Sequence, residues 1–254
     1  MIGFALLLSF AAPAPGGEKP TLFIVGESTA KTGTTGQQGW GDPIVAMFDA
    51  AKIKVENHAR SGRSSRTFQT DGLWDKILAA SKPGDFVLVQ MGHNDGVPLD
   101  DVRAKGTIPG TGDDAKEVYN PITKKKEVVH TYGWYLRKYI ADARAKKMTI
   151  IILSPIPHAQ KRDVKAGELE KSDYAVWAEE VAAAEKVPFV HVNKLVMARY
   201  VGLKPAEIKS KYFTEADNGH TSPAGAELNA GCVVEGLREL KDVALKDYIL
   251  PACR

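Results

Sequence analysis

Asp85-Phe86-Val87-Leu88-Val89-Gln90-Met91-Gly92-His93-Asn94-Asp95 is the stretch whose reading decides the fold. Phe86 to Val89 are apolar without alternation. That is the pattern of a strand covered on both faces, and such strands belong to parallel sheets. Pro83-Gly84 closes a helical segment before it, and Gly92 stops the run after it. A strand over 85–90 therefore delivers His93, Asn94 and Asp95 at its carboxyl end. In open α/β sheets ligands bind at that end.

Working outward, the same signature recurs. Thr21 to Val25 is an apolar run ending at Gly26, just before Glu27-Ser28-Thr29. Lys54 to His58 is a second strand candidate, closed by the loop Ala59 to Ser65. Thr149 to Leu153 ends at Ser154-Pro155, and Phe189 to Val192 is the last strand. Helices are expected at about 42–51, 73–80, 132–147, 173–186, 195–200 and 223–241. The first of the long ones carries Leu136, Ile140 and Ala143 on one face; the last carries Ala226, Ala230, Val233, Leu237 and Leu240. Strands alternating with amphipathic helices predict a three-layer α/β/α fold around a five-stranded parallel sheet, in one domain spanning 19–254. Residues 97 to 131 break the rhythm with Pro, Gly, Asp and Lys. They predict an insertion over about 100–131, a hairpin turning at Asn120-Pro121, placed where binding loops and lids occur.

Composition bounds the function. A net charge of +3 is too small to point to nucleic acid. Residues 1–18 read as a signal peptide and tail, with Ala12-Pro13-Ala14 as a cleavage pattern, so a secreted or periplasmic protein is expected. No other apolar run approaches the roughly 18 residues that span a membrane. Cys232 and Cys253 either pair across the C-terminal tail or stay as buried thiols. Phosphate-binding glycine loops and zinc-spaced Cys/His sets are absent from the sequence.

Near the end of the chain stands Asp217-Asn218-Gly219-His220-Thr221-Ser222-Pro223. Ser222 then Pro223 is the order of an N-cap and a first helical residue. Asp217 and His220 thus sit on a short turn before a helix, close enough for a carboxylate to meet an imidazole. Acyl transfer needs a nucleophile, a base, a group that orients the base, and donors for the oxyanion. Ser28 offers the hydroxyl, His220 the base and Asp217 the orienter. The N–H groups of Ser28 and Gly62, with the Asn94 amide, are the candidate donors. A serine nucleophile of this kind calls for no cofactor and no metal.

Gly26-x-Ser28, Gly62, Gly92-x-Asn94 and Asp217-x-x-His220 resemble, in order and spacing, the four blocks of the SGNH (GDSL-like) hydrolase superfamily. The longer strings Asn57 to Phe68, Gln90 to Asp95 and His220 to Ala226 are similar to the rhamnogalacturonan acetylesterase branch, carbohydrate esterase family 12. The resemblance implies a flavodoxin-like fold, deacetylation of plant cell-wall polysaccharide, and an oxyanion hole of Ser28, Gly62 and Asn94. One position departs from it: Glu27 stands where the family usually has Asp.

For the substrate, Arg63 and Arg66, beside Arg60 in the Gly62 loop, are candidates to hold a uronate carboxylate, since Arg forks match carboxylates. Trp40 and Trp134 are candidate sugar platforms, and core positions are the alternative for each. His93 is a candidate substrate contact or a structural neighbour. The expected partner is an acetylated polysaccharide or oligosaccharide met by a monomer. Competing readings are an acetylxylan or small-ester esterase, a lysophospholipase or thioesterase, and a polysaccharide-binding protein without catalysis.

Overall fold

The computed structural model describes residues 18–33, 36–170 and 172–251. The leader reading and Cys253 fall outside them; Cys232 is buried. The main sheet contains β1 (Thr21–Val25), β2 (Lys54–Asn57), β3 (Phe86–Gln90), β6 (Thr149–Leu153) and β7 (Phe189–Val190), in the spatial order β2-β1-β3-β6-β7 with parallel pairing throughout. This is the flavodoxin-like order, and its switch point lies between β1 and β3. Ser28 follows the first of these strands and Asn94 the second.

Strand side chains alternate between the two faces, which is why there are two cores. Leu22, Ile24, Leu88, Ile151 and Leu153 face one way, against α5 (Val192–Tyr200) and α7 (Pro223–Glu239). Phe23, Val25, Val87, Val89, Ile150 and Ile152 face the other. They pack on α1 (Ser65–Thr70), α2 (Leu73–Ala80), α3 (Tyr132–Ala145) and α4 (Asp173–Ala184). The register Leu22↔Phe86 and Leu88↔Ile151 keeps each set on its own face. The three-layer α/β/α reading holds, with the sheet as the middle layer.

The insertion is β4 (Ala115–Asn120) paired antiparallel with β5 (Lys125–His130). Asn120 Oδ1 accepts from the Ile122 and Thr123 amides at 2.9 and 3.1 Å, so the Asn-Pro turn is held by its own side chain. The Ser222-Pro223 signal also holds: Ser222 Oγ accepts from the Gly225 amide at 3.2 Å, and α7 starts at Pro223.

Four segments differ from the sequence expectation. The helix expected over 42–51 is a single 3-10 turn, Pro43–Met47. Its backbone is claimed by the chain's end instead: Phe48 bridges Ile249, and the Leu250 amide donates to the Met47 carbonyl. The last strand is short because His191 becomes a helix cap, its Nδ1 accepting from the Lys194 amide at 3.3 Å, so α5 begins at Val192. Two helices, α1 and α6 (Pro205–Tyr212), were not expected. Each carries a local start signal, the reciprocal Ser64–Thr67 capping box and Pro205 with Glu207 closing on the Lys204 amide.

Candidate active site

The turn that carries Ser28 comes straight off β1. The Ala30 and Lys31 amides both donate to the Glu27 carbonyl, at 3.1 and 3.0 Å, which folds the chain sharply and leaves Ser28 half-buried at the strand end. Gly26 permits this, because a Cβ there would lie 2.8 Å from the Ala30 Cβ.

Asp217 organises the opposite wall. Its Oδ1 accepts from the Gly219 and His220 amides, each at 2.7 Å, and its Oδ2 from His220 Nδ1, also at 2.7 Å. Burial opposes its charge, but the bonds from His220 and Gly219 win and hold the carboxyl below its ordinary value. Because Nδ1–H is committed to Asp217, the neutral imidazole turns its Nε2 lone pair outward. That nitrogen lies 2.9 Å from Ser28 Oγ. The structure therefore brings Ser28, His220 and Asp217 into one hydrogen-bonded line across 192 residues of sequence separation.

Residues that sequence reasoning did not single out hold this line. The Thr221 hydroxyl donates to the Gln38 carbonyl at 2.7 Å, and the Gln38 amide returns a bond to the Thr221 carbonyl at 3.0 Å. The two walls of the candidate site are thus tied together directly beside the histidine. From the third side the Ala159 amide donates to the Asn218 carbonyl at 2.8 Å. Lys209 Nζ reaches the Thr214 and Asp217 carbonyls.

At the end of β3, the Asn94 amide is oriented at both ends. Nδ2 donates to the Arg63 carbonyl at 3.0 Å, and Oδ1 accepts from Lys105 Nζ at 2.5 Å. An ammonium only donates and a carbonyl oxygen only accepts, so the amide cannot flip without losing both bonds. The second Nδ2 hydrogen has no partner among the described residues. Gly62 sits in the adjoining loop with φ +74°, a conformation that favours glycine. Asp95 braces this corner: fully buried, it accepts from the Ser65 amide at 3.1 Å and the Ser65 hydroxyl at 2.5 Å, and burial pushes its carboxyl up to about 7.

Three expected substrate contacts are corrected. Arg66 is fully buried, its Nε 2.6 Å from Glu127 and its Nη1 2.8 Å from the Gly106 carbonyl. It is a strut joining α1 to the hairpin, and its remaining Nη2, though unpaired, is buried out of a substrate's reach. Trp40 is likewise fully buried, donating from Nε1 to Gln90 Oε1 at 2.8 Å, so it is core and not a sugar platform. His93 has both ring nitrogens engaged, Nδ1 with Glu27 at 2.8 Å and Nε2 with the Ile156 carbonyl at 3.0 Å, so it offers a substrate no polar atom. Arg63 is half-exposed and already paired with Asp71 at 2.7 Å; Arg60 is exposed. Trp134 is half-buried and stacks on His130 at 3.9 Å.

Next to the line lies an open cleft of about 550 Å³, lined among others by Gly92, His93, Pro155, His158, Glu170 and Tyr174. His158 is half-exposed, its Nδ1 3.0 Å from Glu170 Oε1, and its ring packs by Gly219 of the Asp217–His220 turn. No helix among the described residues is long and apolar enough to cross a membrane.

Known proteins resemble this chain over most of its length. The family model described as "GDSL-like Lipase/Acylhydrolase family" matches residues 24–228. A rhamnogalacturonan acetylesterase of Emericella nidulans is 26% identical over 96% of this chain and 95% of its own. A probable rhamnogalacturonan acetylesterase of Bacillus subtilis is 27% identical over 86% of this chain and 93% of its own. Among solved structures, the Bacillus subtilis protein YxiM superposes with a TM-score of 0.69 at 22% identity, over 87% of this chain. This chain spans only 56% of that one. An acetylxylan esterase of Geobacillus stearothermophilus superposes with a TM-score of 0.57 at 17% identity, covering 89% of this chain and 96% of its own.

Proposed function

This chain belongs to the GDSL-like lipase/acylhydrolase family, and we propose that within it the protein removes O-acetyl groups from plant cell-wall polysaccharide, acetylated rhamnogalacturonan first. The observation that carries the esterase reading is the line Ser28 Oγ, His220 Nε2, His220 Nδ1, Asp217 Oδ2, at 2.9 and 2.7 Å. The polysaccharide reading is supported by the two near-full-length relatives named above and by a cleft that is open and carries His158, Glu170 and Asp173 in its lining.

In the proposed mechanism Ser28 Oγ attacks the acetyl carbonyl carbon while its proton passes to His220 Nε2. Asp217 keeps the imidazole in the required tautomer and compensates the imidazolium that forms. The carbonyl oxygen becomes an oxyanion, met by the Ser28 and Gly62 amides and by the free hydrogen of Asn94 Nδ2. His220 returns the proton to the departing sugar oxygen, leaving an acetyl-serine. Water then attacks that ester with His220 as base, and acetate leaves. On the leader reading of residues 1–18, the enzyme works outside the cytoplasm, where such polymers are met.

The test is acetate release from acetylated rhamnogalacturonan, acetylated xylan and an octanoyl ester, for the wild type and Ser28→Ala. The expected result is release from rhamnogalacturonan well above the other two, falling by about 10⁴-fold or more in the variant. Preference for xylan would move the substrate, preference for octanoate would return a lipid or thioester substrate, and undiminished release by Ser28→Ala would remove the nucleophile.

A further inference from the structure

Ser28 Oγ carries one proton and faces two acceptors. His220 Nε2 lies 2.9 Å away, and Glu27 Oε2 lies 3.2 Å away on another side. A proton resting on the Glu27 side is not available to His220. A bare carboxylate so close to the nucleophile would also oppose the negative charge that grows on the substrate's carbonyl oxygen. Glu27 is fully buried, so water does not attenuate that field.

The structure shows what restrains it. Glu27 Oε1 accepts from the Thr29 hydroxyl at 2.7 Å, from Gln90 Nε2 at 3.2 Å and from His93 Nδ1 at 2.8 Å. The Thr29 amide reaches Oε2 at 3.3 Å. Of these donors only His93 can carry charge. Its other nitrogen, Nε2, sits 3.0 Å from the Ile156 carbonyl oxygen. A carboxylate and a carbonyl oxygen are both acceptors, so both ring nitrogens must be protonated to satisfy them. Burial works against the charge on each partner, and the Glu27–His93 attraction outweighs it. The carboxyl is held down at about 2 and the imidazole is raised above its ordinary value. The other charges felt at the pair are Asp95 and Lys105 on the Glu27 side and Glu170 on the His93 side; His158 meets the His93 ring edge-on at 5.0 Å.

We propose that His93 is a positioning residue for the nucleophile: a buried cationic counter-ion that neutralises Glu27, so that the Ser28 proton is directed to His220 and no uncompensated charge opposes the oxyanion. The inference rests on the reading of Ser28 as nucleophile. It gives the unusual Glu27 a reason as well. The longer side chain turns down from the nucleophile turn and reaches a histidine at the end of β3, tying the β1 and β3 ends and, through Ile156, the segment after β6.

The experiment compares wild type, Glu27→Gln, His93→Gln and the double variant. It measures kcat and KM on a small neutral acetate ester, and the rate at which a fluorophosphonate labels Ser28. Melting curves check folding. His93→Gln should lower kcat and labelling by about 100-fold with KM nearly unchanged, because it strands a buried carboxylate beside the nucleophile. Glu27→Gln should stay within about tenfold of wild type, since no charge is stranded. The double variant should return to the Glu27→Gln level, above His93→Gln. A double variant no better than His93→Gln, or a His93→Gln enzyme at wild-type rate, overturns the proposal. Where His93→Gln alone does not fold, the double variant is set against Glu27→Gln: equal rates support the proposal, and a further tenfold loss overturns it. Labelling reads Ser28 without reference to the natural substrate. A wild type that labels but deacetylates no polymer sinks only the polysaccharide reading; one that does not label sinks the nucleophile and this proposal together.

Discussion

Two carboxylate–imidazole pairs flank Ser28, built from the same groups at nearly the same distance. Glu27 meets His93 Nδ1 at 2.8 Å, and Asp217 meets His220 Nδ1 at 2.7 Å. They differ first in burial: the Glu27 and His93 side chains are 0% and 10% exposed, those of Asp217 and His220 45% and 34%. They differ also in what the second ring nitrogen meets. For His93 it is a carbonyl oxygen, which can only accept, so the ring's proton there has nowhere to go. For His220 it is a hydroxyl, which can give up its proton. In the proposed mechanism one pair is thereby a fixed charge and the other a working base. A carboxylate beside a histidine does not make a catalytic dyad; the partner of the far nitrogen decides.

The largest expected effect breaks the exposed pair. Asp217→Asn should cut kcat on the order of 10³- to 10⁴-fold, because the amide no longer favours Nδ1–H and His220 loses the tautomer that accepts from Ser28. Its unfolding free energy should move by only about 1 kcal/mol or less, as expected for a partly exposed carboxylate–imidazole contact. Comparable kcat in the variant would mean that His220 is not oriented by Asp217.

Breaking the buried pair should reverse that balance of stability. His93→Gln is expected to lower unfolding free energy by about 3–4 kcal/mol in denaturant titrations, since a buried carboxylate is left without its counter-ion. A loss as small as that of Asp217→Asn would show that water reaches Glu27.

The smallest effect sharpens the contrast through pH. The folded Glu27 carboxyl titrates at about 2, below its ordinary 4.5. A depressed acid contributes stability that is present above the unfolded value and lost as pH falls through the folded one. The stability advantage of wild type over Glu27→Gln should therefore shrink by up to about 3 kcal/mol between pH 4.5 and 2. His93 has the opposite sign: its raised value stabilises fully below 6.5 and fades as pH rises through the folded value. The two describe one interaction and count once. A wild-type advantage that stays flat down to pH 2 would contradict an ionised Glu27.

Local signals were legible wherever neighbours in sequence settle the matter. Apolar runs marked four of the five strands of the main sheet, the polar β2 being the exception, Ser222-Pro223 marked the start of α7, and the spacing of Asp217 and His220 put an acid on a base within one turn. The misreadings share a cause. Trp40, Arg66 and His93 each have their deciding partner far along the chain, in Gln90, Glu127 and Glu27, at separations of 50, 61 and 66 residues. The same holds for the segment after Asp42, where the chain's last residues displaced an expected helix.

By itself, then, the sequence determined the layers, the strand ends and the pairing of Asp217 with His220, because periodicity and turn geometry are local properties of the backbone; bringing Ser28 to His220 took the tertiary fold. Tertiary structure alone decided which polar side chains face the substrate and which are sealed beneath it. An Arg, a Trp or a Glu is stable in the interior only when a partner from elsewhere satisfies it, and whether that partner arrives is a matter of packing.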